Sequence, residues 1–278
     1  MVLFPPAKIN IGLRVIRKRD DGYHEIETVM IPIPLSDVLE AVVDEKLPQG
    51  TVRYERTGLK IAGDPKADLC MKAVELIREK HWIPGLRVHL HKVIPTGAGL
   101  GGGSSDGAHM LLLLDRLLGL GLERKVLHDL ASRLGSDPPF FLEPRPQLAK
   151  GRGEILQPVE LDLTKKWLML VNPGIHVATA EVYRAMRPTG APADLMRRIA
   201  LPIDQWQEDV VNDMEGFVLT AYPEVRIAKE KIKAAGAVYA AMSGSGSTVY
   251  GIFCGGRPEA LEWPVDHQQW ILPLGPFT

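Results

Sequence analysis

A glycine-rich segment between a strand pattern and a helix pattern offers the most distinctive chemistry in this sequence. Residues 95–105, hereafter the glycine loop, contain five glycines and two serines. The loop consists of Pro95, Thr96, Gly97, Ala98, Gly99, Leu100, Gly101, Gly102, Gly103, Ser104 and Ser105. A glycine-rich turn that feeds a helix points several backbone N–H groups at one spot, and the helix dipole adds partial positive charge there. The loop therefore predicts a binding site for a phosphate chain.

Three known types of phosphate-binding glycine loop do not match the segment fully. The spacing Gly97-x-Gly99-x-x-Gly102 matches a dinucleotide fingerprint, but a second helix pattern over 123–134 replaces the strand that this signature needs next. A Walker A loop ends in Gly-Lys-Ser/Thr, and this one has no lysine. The His-Arg-Asp and Asp-Phe-Gly signatures of protein kinases are also absent from the sequence. A flexible turn is a further explanation, although one turn needs far fewer glycines.

Composition limits the classes of partner. The chain has 278 residues, of which 45% are hydrophobic and 24% charged, with a net charge of −1. These values predict a globular protein of one large or two ordinary domains, without broad attraction to nucleic acid or an anionic membrane. The two cysteines form no motif, no apolar run approaches a membrane span, and no signal peptide pattern opens the chain. We therefore expect a cytoplasmic protein.

Hydrophobic patterns along the chain predict a mixture of strands and helices. Strands are expected at 6–18, 26–34, 37–43, 51–56, 86–90, 167–171, 238–242 and 248–253, and helices at 68–80, 110–118, 123–134, 178–187, 208–220 and 223–235. Helices and strands do not alternate strictly, which favours an α+β fold with two layers in each half. Prolines and glycines over 144–158 predict a domain boundary, with domains at 1–154 and 155–278.

A few polar residues lie where they can act on a ligand. Lys8 and Asn10 share one face of the first strand, about 7 Å apart by Cα. Asp137 precedes two prolines, so we expect a stiff turn that holds its backbone away from the helical region. Tyr23 and His24 follow a turn signal. Each position also has a structural explanation: a solvated lysine, a helix-ending turn, or ordinary surface residues.

A second small-residue turn, Ser243–Ser247, and a helix-opening Asn212-Asp213 complete the candidates. The turn fits a tight hairpin, and it equally fits a place where a ligand or the other domain approaches closely. An N-cap role explains Asn212 or Asp213 without any function.

These blocks together resemble one family. The glycine loop resembles the phosphate-binding motif of the GHMP kinases, which include galactose, homoserine, mevalonate and phosphomevalonate kinases, and Ser243–Ser247 resembles their third motif. Three further blocks, 6–13, 21–25 and 137–141, resemble the branch of that family that phosphorylates the 2-hydroxyl of a cytidine diphosphate-linked methylerythritol in the non-mevalonate isoprenoid pathway. Another GHMP kinase, acting on homoserine or mevalonate, and a non-catalytic nucleotide-binding module are the alternatives.

The resemblance implies a two-domain GHMP kinase fold with the active site in the cleft between the domains. It implies ATP as co-substrate with Mg²⁺, and a small-molecule acceptor. Asp137 would be the catalytic carboxylate and Lys8 its cationic partner. The remaining roles would be the glycine loop for the ATP phosphates, Asn10 for the methylerythritol end, and Tyr23, His24 and Tyr183 for the cytosine.

Several positions depart from the family pattern. Asp68 stands where the family often has asparagine near the adenine, and Ser136 and Pro138 replace the usual alanine and valine, from which we expect a stiffer turn. In a regular hairpin, Lys8 and His24 would lie more than about 30 Å apart. We therefore expect residues 16–24 to fold back as a wider loop.

Overall fold

The structure is a computed structural model that describes residues 1–61, 63–188, 190 and 194–276. The strands are β1 (Val2–Leu3), β2 (Pro6–Lys18), β3 (His24–Ser36), β4 (Val38–Val43), β5 (Val52–Gly58), β6 (Leu86–Lys92), β7 (Gln147–Gly151), β8 (Ile155–Pro158), β9 (Lys166–Asn172), β10 (Tyr239–Met242), β11 (Val249–Phe253) and β12 (Gln268–Leu274). The helices are α1 (Leu69–Arg78), α2 (Gly102–Leu118), α3 (Arg124–Leu134), α4 (Thr179–Ala185), α5 (Leu195–Ile199), α6 (Trp206–Asp209), α7 (Glu215–Ala221) and α8 (Pro223–Ala234). None of the described helices is long and apolar enough to cross a membrane.

The chain forms two compact units, each discontinuous in sequence. The first unit comprises Met1–Ala7, Leu35–Thr96 and Gly101–Pro144, and the second comprises Lys8–Pro34, Gly97–Leu100 and Arg145–Thr278. The chain thus passes between units inside the glycine loop. The sequence-based division at residues 154 and 155 stays a prediction.

The first unit places one sheet against helices. Its strands lie in the order β1-β4-β6-β5, in which β5 and β6 are parallel and the other pairs antiparallel. Apolar side chains of β6 alternate with exposed ones and meet the apolar faces of α1, α2 and α3 in one buried cluster. This cluster packs β6 against α2, the two elements that the glycine loop connects.

The second unit contains two four-stranded sheets, in the orders β2-β3-β7-β8 and β10-β11-β9-β12. The second of these is antiparallel throughout. Its buried core joins side chains of β9, β10 and β11 to those of α4, α7 and α8. The mixture of sheets and helices in both units confirms the expected α+β class.

Most expected elements are present, but the helix predicted over 208–220 is wrong. The structure has α6 and α7 instead, and the residues between them pair with β2: the Leu13 amide donates to the Val211 carbonyl, and the Asp213 amide to the Leu13 carbonyl. Backbone pairing with a strand has overridden the helical periodicity. Strands β1, β7, β8 and β12 and helix α5 were not expected. Strands β7 and β8 form a hairpin within the proline- and glycine-rich stretch.

The wide loop expected over residues 16–24 is also wrong. Strand β2 continues to Lys18, and the Arg19 amide donates to the Tyr23 carbonyl at 2.8 Å across a short turn. Within β2, Gly12 has a φ of 64°, in the left-handed region that strand residues do not normally adopt. Since the backbone departs from regular strand geometry at this glycine, the spacing of Lys8 and His24 along a straight hairpin is an upper limit.

Candidate active site

The glycine loop alternates buried apolar side chains with left-handed glycines. Ala98 and Leu100 are buried, whereas Gly97, Gly99 and Gly101 have φ values of 65°, 77° and 70°. Residues with side chains rarely adopt this conformation, so the glycines are required by the backbone path. The loop therefore has a defined backbone conformation, and two buried apolar side chains anchor it.

Within the second unit, the loop packs directly on the Ser243–Ser247 turn. The Ser243 hydroxyl donates to the Gly99 carbonyl at 2.8 Å and accepts a hydrogen bond from the backbone N–H of Asn10 at 3.3 Å. A Cβ added to Gly99 would lie 2.0 Å from the Ser243 carbonyl oxygen, so only glycine allows this approach. The small residues of the turn thus serve both a β10–β11 hairpin and close contact with the loop.

Helix α2 begins at Gly102, directly after the left-handed Gly101. The first amides of a helix have no intrahelical partner, and the dipole makes this end partly positive. A Cβ added to Gly103 would meet nothing within 4 Å, so open space adjoins these amides. Ser105 is fully buried; its hydroxyl lies 3.5 Å from Nδ1 of His109.

His109 gives α2 a buried neutral imidazole. Burial lowers the pKa of His109 to about 4, although the hydrogen bond between its Nδ1 and the Ser105 carbonyl opposes the shift. Between about pH 6.5 and pH 4 the unfolded chain therefore binds a proton that the folded chain does not.

We expect this difference to appear in the pH dependence of stability. As pH falls through that window, His109 should reduce the free energy of unfolding by at most about 3 kcal/mol. Urea unfolding of the wild type and of His109→Gln at several pH values measures it. The variant should lose less stability on acidification, and equal losses in both proteins would contradict the assignment.

A small cavity of about 60 Å³ lies in the first unit beside the start of α2. It is lined by Ile61, Asp68, Leu69, Cys70, Leu90, Lys92, Thr96, Gly103 and Asp106. Both oxygens of Asp68 are within hydrogen-bond distance of Arg56, and one also accepts the Tyr54 hydroxyl at 2.9 Å. Asp68, which stands where the family often has asparagine, is thus held by hydrogen bonds from residues of the first unit.

Lys8 and Asn10 lie on one face of β2, as expected, but that face is buried. Lys8 is 4% exposed and Asn10 2%. The Lys8 ammonium donates to Oδ1 of Asn10 at 2.6 Å. The side-chain Nδ2 of Asn10 donates to the Thr28 hydroxyl, and that hydroxyl donates to the Gly12 carbonyl. Each member fixes the orientation of the one before it, so the ammonium is held by an ordered chain of hydrogen bonds.

Asp137 is half-buried and follows α3 at the start of a short 3₁₀ turn, Pro138–Leu142. Its backbone angles, φ −81° and ψ −29°, lie in the helical region, so the expectation that proline would exclude this conformation is wrong. The reason is the turn itself: the Asp137 carbonyl accepts the Phe140 amide at 3.1 Å. Phe140 and Phe141, both fully buried with edge-on rings, anchor the turn that carries the carboxylate.

The three aromatic candidates all lie in the second unit. The rings of His24 and Tyr183 stack with centroids 4.9 Å apart and planes 18° from parallel. Tyr23 is 53% exposed, and the Arg152 guanidinium lies 4.8 Å from its ring centroid. Burial, and then the charge of Lys18, lower the pKa of His24, which favours the neutral ring at pH 7. The site thus offers a neutral aromatic pair and an exposed aromatic ring.

Sequence reasoning missed the role of Asn212. It is 4% exposed; its side-chain amide donates to the carbonyls of Met242 and Gly244 at 2.9 and 2.8 Å, while its oxygen accepts the Met214 amide. This residue therefore fastens the small-residue turn as well as capping a turn of its own. No signal in the sequence separated this role from an ordinary N-cap.

Comparison with known proteins gives a consistent result. The model of the GHMP kinases N terminal domain matches residues 68–143, and that of the GHMP kinases C terminal domain matches residues 194–262. A 4-diphosphocytidyl-2-C-methyl-D-erythritol kinase of Azobacteroides pseudotrichonymphae is 44% identical, covering 91% of this chain and 93% of the relative. A relative of the same name from Cytophaga hutchinsonii is 41% identical, covering 99% and 100%. The crystal structure of a 4-(cytidine 5'-diphospho)-2C-methyl-D-erythritol kinase superposes with a TM-score of 0.77 at 31% identity, covering 99% of this chain and 100% of the other.

Proposed function

Because the chain belongs to the family of 4-diphosphocytidyl-2-C-methyl-D-erythritol kinases, we propose that it transfers the γ-phosphoryl group of ATP to the 2-hydroxyl of that cytidyl substrate. This step belongs to the non-mevalonate isoprenoid pathway, and we place it in the cytoplasm. The similarity along 99% of the chain carries the proposal. The kinase family implies ATP as the co-substrate.

The glycine loop is proposed to hold the ATP phosphates. The free amides at the start of α2, the helix dipole and the open space beside Gly103 together suit a polyanion. Among the described residues no cluster of three or more acidic, histidine or cysteine side chains could hold a metal ion. We assign Mg²⁺ to the ATP phosphates, where it would offset charge on the transferring group, because Mg²⁺ commonly binds substrate phosphates with only one or two protein ligands.

For the acceptor end we propose three roles. Asp137 takes the proton of the 2-hydroxyl as the oxygen forms its bond to the γ-phosphorus and the bond to the β-phosphate oxygen breaks, which releases ADP. Lys8 stabilises negative charge on the transferring group. Asn10 orients Lys8 and offers hydrogen bonds to the methylerythritol. The ordered chain from Lys8 to Thr28 supports the last two roles, because it fixes the ammonium before substrate arrives.

Tyr23, His24 and Tyr183 are proposed to bind the cytosine. A base between two rings needs about 7 Å between their planes, twice the van der Waals separation. The His24–Tyr183 stack is too close for that. A cytosine held between Tyr183 and His24 therefore requires His24 to leave the stack, after which its ring nitrogens can hydrogen-bond to the base.

The test is ADP release with a panel of acceptors. The cytidyl substrate should support turnover, whereas methylerythritol 4-phosphate, homoserine and mevalonate should not. Turnover with homoserine or mevalonate alone would replace this proposal with another kinase of the GHMP class. ATP binding without turnover on any acceptor would indicate a non-catalytic module.

Tyr183→Ala tests the cytidine contact within the same assay. Loss of one stacking platform should raise KM for the cytidyl substrate by about tenfold to a hundredfold, since base stacking contributes about 1–3 kcal/mol. KM for ATP should not change. Tyr222→Ala, which removes a tyrosine whose hydroxyl bonds to exposed Glu181, is the matched control. An unchanged KM for the cytidyl substrate in Tyr183→Ala would remove this residue from the site.

A further inference from the structure

The two ends of the glycine loop are joined inside the first unit by three buried charged side chains. These are Asp37, between β3 and β4; Lys92, the last residue of β6; and Asp106, on α2. We call them the loop-end cluster. Their side chains are 0%, 0% and 4% exposed, in that order. The cluster is thus shielded from solvent although it lies beside a proposed ligand site.

The hydrogen bonds of the cluster reach both ends of the loop. One oxygen of Asp37 accepts the amides of Val93 and Ile94, at 2.6 and 2.9 Å, just before the loop begins. The Lys92 ammonium donates to the other oxygen of Asp37 and, at 2.7 Å, to Oδ2 of Asp106 on the helix after the loop. The cluster therefore connects the chain entering the loop to the chain leaving it.

Steric packing at the same place leaves little freedom. A Cβ added to Gly102 would lie 2.8 Å from Cγ2 of Ile94 and 3.3 Å from the Lys92 nitrogen. The first residue of α2 thus packs directly on the last residue before Pro95. The separation of the loop ends is fixed by these contacts, while the glycines between them have little conformational preference of their own.

Stability does not account well for such a cluster. Burying ion pairs costs desolvation energy that their attraction often only balances. Two carboxylates share one ammonium, and Oδ1 of Asp106 is buried without a hydrogen-bond partner among the described residues. Burial raises the pKa of Asp106 above its usual range, and the neighbouring Lys92 ammonium offsets this only in part. An apolar core would fill the same space without this cost.

We infer that Asp37, Lys92 and Asp106 are positioning residues that orient the first backbone amides of α2 toward the ATP phosphates. The inference rests on the proposed function, because it concerns the same phosphate site. The cluster holds both ends of the glycine loop at a fixed separation, so that the amides of Gly102, Gly103 and Ser104 converge before ATP arrives. Loss of one member should weaken the grip on phosphates and leave the nucleoside contacts unchanged.

The experiment compares ATP with adenosine, which carries no phosphates, by calorimetric titration. Asp106→Ala removes one acceptor from Lys92 and should raise Kd for ATP by about tenfold, with Kd for adenosine unchanged. KM for ATP should rise in parallel while kcat stays within about threefold. Asp106→Asn keeps a carbonyl acceptor and should restore most of the affinity. If Asp106→Ala does not fold, Asp37→Ala, which removes the other acceptor of Lys92, provides the same comparison.

Asp44→Ala is the matched control. It removes the partner of Arg87 at the opposite end of β6 and should leave both affinities unchanged. Equal ATP affinity in Asp106→Ala and wild type, or an equal loss for ATP and adenosine, would overturn the inference. A different outcome would separate the two proposals: the wild type phosphorylates no acceptor, while Asp106→Ala still binds ATP more weakly than the wild type does. That result would contradict the proposed function and leave the inference standing.

Discussion

Replacement of Asp137 by asparagine is expected to lower kcat by about 10²–10⁴-fold, the usual contribution of a positioned proton acceptor. Asparagine keeps the shape of the side chain and lacks a carboxylate that can accept the proton of the hydroxyl. The two buried phenylalanines that anchor the turn are untouched, so the fold should persist. Steady-state ADP release with the cytidyl substrate measures the loss, and calorimetry should show ATP binding close to wild type.

Asp129→Asn is the control for this substitution. Asp129 is an exposed carboxylate on α3, the helix before the turn that carries Asp137. Its replacement should leave kcat within about twofold, as is usual for surface positions away from a site. Turnover near the wild-type level in Asp137→Asn would show that the carboxylate neither accepts the proton nor orients the hydroxyl.

Local sequence signals predicted the elements around the glycine loop well. Leu86, Val88 and Leu90 alternate as a half-buried strand should, and α2 carries an apolar face with glycine at both ends. These signals succeed because burial and backbone conformation are decided within a few residues. The position of the loop between β6 and α2 follows from them directly.

The burial of lysines was less accessible to sequence reasoning, although one signal existed. Lys92 has the same parity as Leu86, Val88 and Leu90, so it belongs to the buried face of β6. A lysine on such a face must find counter-charges, which here come from residues distant in sequence. Which residues supply these counter-charges depends on tertiary packing, and no local sequence pattern predicts it.

Long-range pairing also explains the elements that were wrong. The helical pattern over 208–220 is real, but residues 211–213 bond to Leu13 instead, and Asn212 is drawn to the small-residue turn. The stretch 144–158 has the composition of a linker and still forms a hairpin. In both cases a strand elsewhere in the chain supplied partners that composition cannot reveal.

The aromatic candidates show a similar limit. The resemblance named Tyr23, His24 and Tyr183 as one group, and the structure places the last two in direct contact. The guanidinium of Arg152 over Tyr23 had no counterpart in the sequence reasoning. Geometry between side chains of separate elements decides which ring faces are open to a base, and only the folded chain contains it.

Replacement of Gly99 by alanine should have the second large effect, because two costs coincide at this position. The new Cβ would lie 2.0 Å from the Ser243 carbonyl oxygen, a backbone atom, and the residue would have to keep a φ of 77°. Left-handed backbone costs about 1–2 kcal/mol for a residue with a side chain. The clash can be relieved only by moving the loop by about 1 Å, and a displacement of that size can lower the rate about a hundredfold.

We therefore expect Gly99→Ala to reduce kcat/KM for ATP by about a hundredfold, measured by ADP release at a temperature where circular dichroism shows the variant folded. Gly119→Ala is a control that separates loop displacement from backbone strain. Gly119 ends α2 with a φ of 62°, so alanine there is strained in the same way, but an added Cβ meets nothing within 4 Å and should displace nothing. That variant should lose about 1–2 kcal/mol of stability and keep its kinetics with ATP. Equal kinetics in the two variants would mean that contact between the loop and the Ser243 turn does not set the geometry of the phosphate site. A selective loss in Gly99→Ala would show that the close contact between Gly99 and Ser243 sets part of the geometry of the phosphate site.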